Sequence, residues 1–172
     1  MAEFRLRATG QVMLEDELRR WARDNNGPAW DRTTDEVLEA LGADVVFEGP
    51  QATGGTVYQF SMRQGVEQVD GKWYTKYVLG PIFTDRPATD TEPAQTAAEQ
   101  EAAYKAQKDA EQAKSVREQR SQKLKDTDWT VIKALESNTP QNFDMAVYRQ
   151  ALRDITAQDG FPWNVQWPTQ PE

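Results

Sequence analysis

The sequence predicts an α+β fold in three parts: a small N-terminal, mostly antiparallel α+β domain, a long exposed connecting helix, and a small helical C-terminal module with an aromatic extended tail. Three observations lead there. Alternating apolar residues and a two-residue hairpin signal fill roughly the first eighty positions. The stretch from Ala94 to Lys125 contains no Gly or Pro, and aromatic residues crowd the last part of the chain. With 172 residues and 38% hydrophobic content, two small cores on a solvated connector are expected rather than one large core. The expected divisions are 1–84 (α+β domain), 85–93 (linker), 94–125 (long helix) and 126–172 (C-terminal module).

In the first part, Glu3 to Ala8 alternates, with Phe4 and Leu6 on one face, as in a half-exposed strand. Leu14, Leu18 and Trp21 fall at helical spacing within Leu14–Arg23, and Asn25-Asn26-Gly27-Pro28 ends that helix. Thr33 followed by Glu36 is a capping-box pattern for a helix through Leu41, with Gly42 as a left-handed cap. Strands are expected at Ala43–Glu48, Val57–Arg63, Val66–Val69 and Lys72–Leu79. Gln64-Gly65 is expected to break the chain between the second and third. Asp70-Gly71 joins the last two as a tight hairpin.

Asp85 to Pro93 is polar and proline-containing, a linker composition. From Ala94 to Lys125 the residues are mostly Ala, Glu, Gln and Lys, all strong helix formers. Such a helix spans roughly 48 Å at 1.5 Å per residue and is expected to hold two domains apart. Ala103, Ala106, Ala110 and Ala113 follow a 3-4-3 spacing that continues through Arg117 and Arg120 to Leu124. This is either a narrow coiled-coil seam for self-association as a dimer or trimer, or one face of a solvated helix stabilised by pairs such as Glu101–Lys105.

Beyond Asp126, Trp129, Val131 and Ile132 read as a short extended or turning segment. Thr139-Pro140 then supplies a cap and first-turn proline for a helix to about Ala157, whose apolar stripe is Met145, Tyr148, Leu152 and Ile155. Trp129, Tyr148, Leu152 and Phe161 are the expected core of this module. Arg149 and Arg153, one turn apart, either pair with Asp128 or Asp154 or present forked donors to a partner. Trp163 and Trp167, four apart on the tail, are the expected contact anchors.

Composition excludes much chemistry. A net charge of −8 without a basic patch argues against nucleic-acid and anionic-lipid partners. With no Cys and no His there is no disulfide, thiolate or imidazole metal site, and no His-based triad. Asp126 and Asp128, two apart, fit a turn cap and a solvated helix end better than a cation site. The loop Gly49–Gly55 lacks the Lys-Ser/Thr of a phosphate loop. No nucleophile has an activating base, so no catalytic residue, metal or cofactor is expected. No apolar run suits a signal peptide or a membrane span, and a soluble chain that stays where it is made is expected.

The residues Arg120, Leu124, Thr127-Asp128-Trp129, Tyr148-Arg149-Gln150-Ala151-Leu152-Arg153-Asp154, Phe161-Pro162-Trp163 and Trp167-Pro168 resemble the phage tail assembly chaperone-like domain of tail-fibre assembly proteins. The resemblance covers about residues 115 to 169. The Thr130–Ser137 loop departs from it in carrying more charge and less proline. More loosely, Leu41–Gly49 and Asp70–Tyr74 resemble domains that precede this module in phage proteins.

The resemblance implies a non-enzymatic bacteriophage protein that binds a tail-fibre or baseplate protein. It is then made in host cytoplasm, and is either a structural or adaptor component of the virion tail or a chaperone absent from mature particles. The long helix and separate sheet domain lean towards the structural role. Two other readings remain: a glycan hydrolase using acidic residues of the N-terminal domain, and a glycan-binding sheet face using Trp73, Tyr74 and Tyr77.

Overall fold

A computed structural model describes residues 2–140 and 142–171. The chain divides into two units, Met1–Ile82 and Phe83–Glu172. It is α+β as the pattern predicts, with a sheet in the first unit and helices in the second.

The first unit holds strands β1 (Glu3–Leu6), β2 (Val12–Leu14), β3 (Ala43–Phe47), β4 (Phe60–Val69) and β5 (Lys72–Gly80), in spatial order β2-β1-β3-β5-β4. Only β3–β5 is parallel; the other neighbours run antiparallel. Helices α1 (Glu15–Asp24) and α2 (Asp35–Leu41) seal one face of the sheet. Their Leu18, Ala22, Leu38 and Leu41 pack with Phe4, Leu6, Met13 and Ala43. Strand alternation sends Glu3 and Arg5 to the opposite face. There Arg5 stacks on the Trp73 ring at 3.8 Å, and Arg63 grips both Glu3 oxygens at 2.6 Å.

Several local expectations shift. The break expected at Gln64-Gly65 is a bulge inside one ten-residue strand, with Gly65 at φ +78°. A bulge lets the chain absorb an extra residue without losing its partner β5, which Asp70-Gly71 has already brought alongside. The cap of α2 is Thr34, whose hydroxyl accepts from the Val37 amide. Thr33, one residue earlier, instead ties the Trp30 indole to Glu15. Gly42 ends the helix at φ +62°, ψ +42°, a conformation that a side chain disfavours. The short strand β2 has only three residues, too few for alternation to register.

In the second unit, residues 83–96 run back along the start of the long helix. Arg86 and Gln95 form an antiparallel bridge, Arg86 pairs with Glu92 at 2.9 Å, and Phe83 lies against Tyr104. Helix α3 is Ala97–Asp126, capped by a reciprocal Thr96/Glu99 box. Thirty residues give it a length of roughly 45 Å.

After a one-residue break at Thr127 comes α4 (Asp128–Glu136), where an extended or turning segment was expected. Thr130-Val131-Ile132 reads as strand by propensity. The chain leaves α3 already in helical register, however, and among its described residues the second unit has no named strand to pair with it. Helix α5 is Phe143–Arg153 and starts later than Thr139-Pro140 suggested, because the Asn142 side chain accepts from the Met145 amide at 3.1 Å. Gln141, inside the expected helix, lies outside the described residues. A short 3-10 helix, Asp154–Ala157, and an irregular tail complete the unit.

Candidate docking surface of the C-terminal module

The module is organised around the junction of α3 and α4. Ending α3 at Asp126 leaves carbonyls without helical partners. Thr127, 1% exposed, turns its hydroxyl back onto the Lys123 and Leu124 carbonyls. Arg149 reaches the same point from α5. It donates to the Leu124 carbonyl at 2.8 Å, the Thr127 hydroxyl at 2.6 Å and the Asp128 carboxylate at 2.7 Å. One planar guanidinium thus satisfies a helix end, a buried hydroxyl and a carboxylate, which a lysine cannot do.

Met145, Tyr148 and Leu152 form the core beneath this junction, with Leu124 and Trp167 packed against it. Ile155, fully buried, extends the apolar side of α5. The tail lies along α3: the Trp163 indole donates to Asp109 at 2.5 Å, Gln112 donates to the Pro162 carbonyl, and Arg117 sits over the Phe161 ring at 5.3 Å. Lys123 lies over Trp167 at 5.6 Å. The turn into the tail needs Gly160, where an added Cβ would lie 2.1 Å from the Asn164 carbonyl oxygen.

The expected contact residues are therefore divided. Arg149 is 7% exposed and takes the first of its two expected alternatives, pairing with Asp128, so it is not partner-facing. Arg153, one turn on, is exposed. Trp163 and Trp167 are half-buried against the chain's own helices. Of the expected core, Tyr148 and Leu152 are buried and Phe161 is half-buried, but Trp129 is 60% exposed. Trp129 stays out with the rest of its helix: no residue of α4 is buried. Of the alanine seam, Ala103, Ala106 and Ala110 are exposed and Ala113 is buried within the module.

Sequence reasoning missed an exposed apolar row in this module. Trp129, Ile132 and Leu135 recur every third residue along α4 and are 60%, 53% and 76% exposed. Phe143 and Val147, one turn apart on α5, add 78% and 52% exposure. The signal was present as apolar spacing in Thr127–Glu136, but a core assignment for Trp129 hid it. Isolated exposed apolar residues need no explanation, whereas three on one face of a single helix, as on α4, suit an interaction site.

Features of an enzyme are weak by comparison. Among the described residues, no group of acidic side chains is arranged to hold a metal. Glu3, Glu15, Glu36, Glu99 and Glu111 all have pKa values held below the ordinary glutamate value by hydrogen-bond donors: Arg63, Arg19, Thr34, the Thr96 backbone and Lys108 respectively. A glycosidase acid needs the opposite shift. A cleft of about 490 Å³ beside Arg19, Arg23 and Trp30 contains an arginine already bonded to Glu15 and to the Trp30 and Asp31 carbonyls. On the sheet, Trp73 carries Arg5 on its ring and Tyr77 donates to Glu48 at 2.5 Å. Among the described residues no helix is long and apolar enough to cross a membrane.

Comparison with known families gives a match that coincides with this module. Residues 113–172 match the phage tail assembly chaperone protein family. The matched segment begins in the second half of α3 and contains the Thr127–Arg149 junction, α4 and the tail. The match relates the chain to phage tails. No curated protein and no solved structure matches the chain.

Proposed function

We propose that the chain is a phage tail assembly chaperone: it engages a tail-fibre or baseplate protein through its C-terminal module and is not retained in the finished particle. The observation that carries this reading is the row of exposed apolar residues Trp129, Ile132 and Leu135 along α4, within the segment that matches the chaperone family. A protein that must hold a tail component before assembly needs an accessible apolar face of this kind.

The rival reading, a structural or adaptor component of the virion, drew on the alanine seam of the long helix. Over its second half that register already has an intrachain occupant: Ala113 is buried, Arg117 lies over Phe161, and Leu124 packs on the module core. Ala103, Ala106 and Ala110 alone offer under three turns of small side chains, too little for a stable seam. This favours the chaperone.

Mass spectrometry of purified particles and of infected-cell lysate tests the choice. The chaperone is expected in lysate, bound to a tail protein, and absent from particles. Recovery from particles at fibre-like stoichiometry would establish the structural role instead.

A further inference from the structure

We infer that the outward face of α3 between Lys114 and Lys125 takes an acidic segment of a tail protein. The inference rests on the tail-binding reading above and adds a second surface with its own chemistry. Lys114, Arg117, Glu118, Ser121, Gln122 and Lys125 line one shallow groove of about 430 Å³. They recur three and four residues apart, so they form one stripe along the helix. The inward stripe of the same turns is taken by the module: Ala113 and Val116 are buried and Leu124 packs on the core. The groove residues are all exposed.

Charge is distributed unevenly along the chain. Residues 113–172 hold eight Lys and Arg against eight Asp and Glu, so the whole net charge of −8 lies in residues 1–112. Within the module the cations gather on this helix: 114–125 holds five Lys and Arg and one carboxylate, Glu118. Glu118 offsets Lys114, at 4.0 Å. Arg117 lies over the Phe161 ring, which orients the guanidinium without neutralising it. Among the described residues no carboxylate pairs with Arg117 or Lys125. The carboxylates on either side are occupied, Glu111 by Lys108 and Asp126 by Gln122, each at 2.7 Å. On the neighbouring helix ends, Asp128 is held by Arg149 and Asp154 by Gln150.

The groove therefore offers a forked donor and an ammonium with no internal counter-charge, and such groups favour carboxylates. Lys114 and Lys125 are separated by roughly 16 Å along the helix. About five extended residues cover that distance, so the matching segment is short and carries Asp or Glu near both ends. A polyanion such as nucleic acid is repelled at long range by a chain of net charge −8. A second copy would meet the groove through its acidic residues 1–112, in a head-to-tail contact between chains that each carry −8.

The test titrates the full chain with each tail protein encoded alongside it, a Glu-rich peptide, its Lys-rich counterpart and a single-stranded oligonucleotide. Hydrogen exchange locates binding. Affinity is measured for wild type, Lys114→Glu/Lys125→Glu, Arg23→Glu/Arg32→Glu and Glu118→Gln. The two double variants change net charge equally, but only the first touches the groove; Arg23 and Arg32 are exposed in the first unit. The expected result is protection over 114–125 by one tail protein and by the Glu-rich peptide. The groove variant should weaken both at least about tenfold, and the first-unit variant less than about twofold. Glu118→Gln should tighten both, and added salt should weaken both. An unchanged melting curve shows that the variants are folded.

Tail-protein protection elsewhere, with 114–125 unchanged, overturns this inference and leaves the tail-binding reading standing. Equal losses from the two double variants overturn the groove and leave only net charge. Binding of the Glu-rich peptide at 114–125 with no tail protein bound overturns the tail reading. An oligonucleotide that binds there more tightly than every tail protein overturns the choice of a protein partner. Self-association by light scattering that Lys114→Glu/Lys125→Glu abolishes overturns the choice of a tail protein over a second copy.

Discussion

Arg149 on α5 donates a 2.6 Å hydrogen bond to the hydroxyl of Thr127, the residue at which α3 ends and α4 begins. This contact spans 22 residues of sequence and ties α5 to the junction of α3 and α4. It explains why the Thr-Asp-Trp and Tyr-Arg-Gln segments occur together: one supplies the break and the other supplies the guanidinium that satisfies it.

Arg149→Ala is therefore expected to destabilise the second unit by about 2–3 kcal/mol. The main cause is the loss of partners for Thr127 and the Leu124 carbonyl rather than for Asp128, which is half exposed. Arg149→Lys should recover little, because one ammonium cannot reach three acceptors in forked geometry. Urea unfolding of the full chain, followed by tryptophan fluorescence, checks both variants.

Leu152→Ala and Trp129→Ala should separate folding from binding. Leu152 is fully buried, so its truncation leaves a cavity and should cost about 3 kcal/mol. Trp129 is 60% exposed, and its removal should change stability by less than about 0.5 kcal/mol. Thermal melting of the two variants side by side is sufficient. An equal loss from both would mean that Trp129 belongs to the core after all.

The first unit should lose stability as acid is added. Arg63 hydrogen-bonds Glu3 and holds its carboxyl below the ordinary value of 4.5. A carboxyl with a depressed folded pKa contributes its full stability above 4.5 and loses it as pH falls through the lowered value. Melting temperature measured from pH 6 downward should fall in that window, and Glu3→Gln should be lower at pH 6 and flatter below it.

The tail should depend on the Trp163–Asp109 contact, which joins residues 54 apart in sequence. Trp163→Phe keeps an aromatic ring but removes the indole donor. It is expected to cost about 1 kcal/mol and to raise hydrogen exchange across Phe161–Trp167 without disturbing Met145, Tyr148 and Leu152.

Much of the fold could be read from the sequence where the signal is local. Asp70-Gly71 adopts the positive-φ pair of a tight hairpin, Gly42 the left-handed cap, and Ala97–Asp126 the helix that its composition demands. The Thr96/Glu99 box was equally visible and would have placed the start of α3. What escaped was set by tertiary packing. Propensity in Thr130-Val131-Ile132 favours a strand, yet helical momentum from α3 decides the outcome. Arg149 and Arg153 share a helix face by spacing, but the unsatisfied end of α3 draws only the first inward. Trp129 was assigned to the core because a small module needs large side chains. Nothing in the sequence showed that α4 would bury none of its residues.

The central claim is that the exposed apolar residues of α4 and α5, rather than the fold beneath them, serve tail assembly. The most direct measurement is the fraction of particles with complete tails, counted by negative-stain electron microscopy. Infections lacking the chain would be complemented with wild type or with Leu135→Ser/Phe143→Ser. The account expects the double variant to be present and folded at wild-type level while complete tails fall towards the uncomplemented value. A full complement of finished tails with that variant would contradict it.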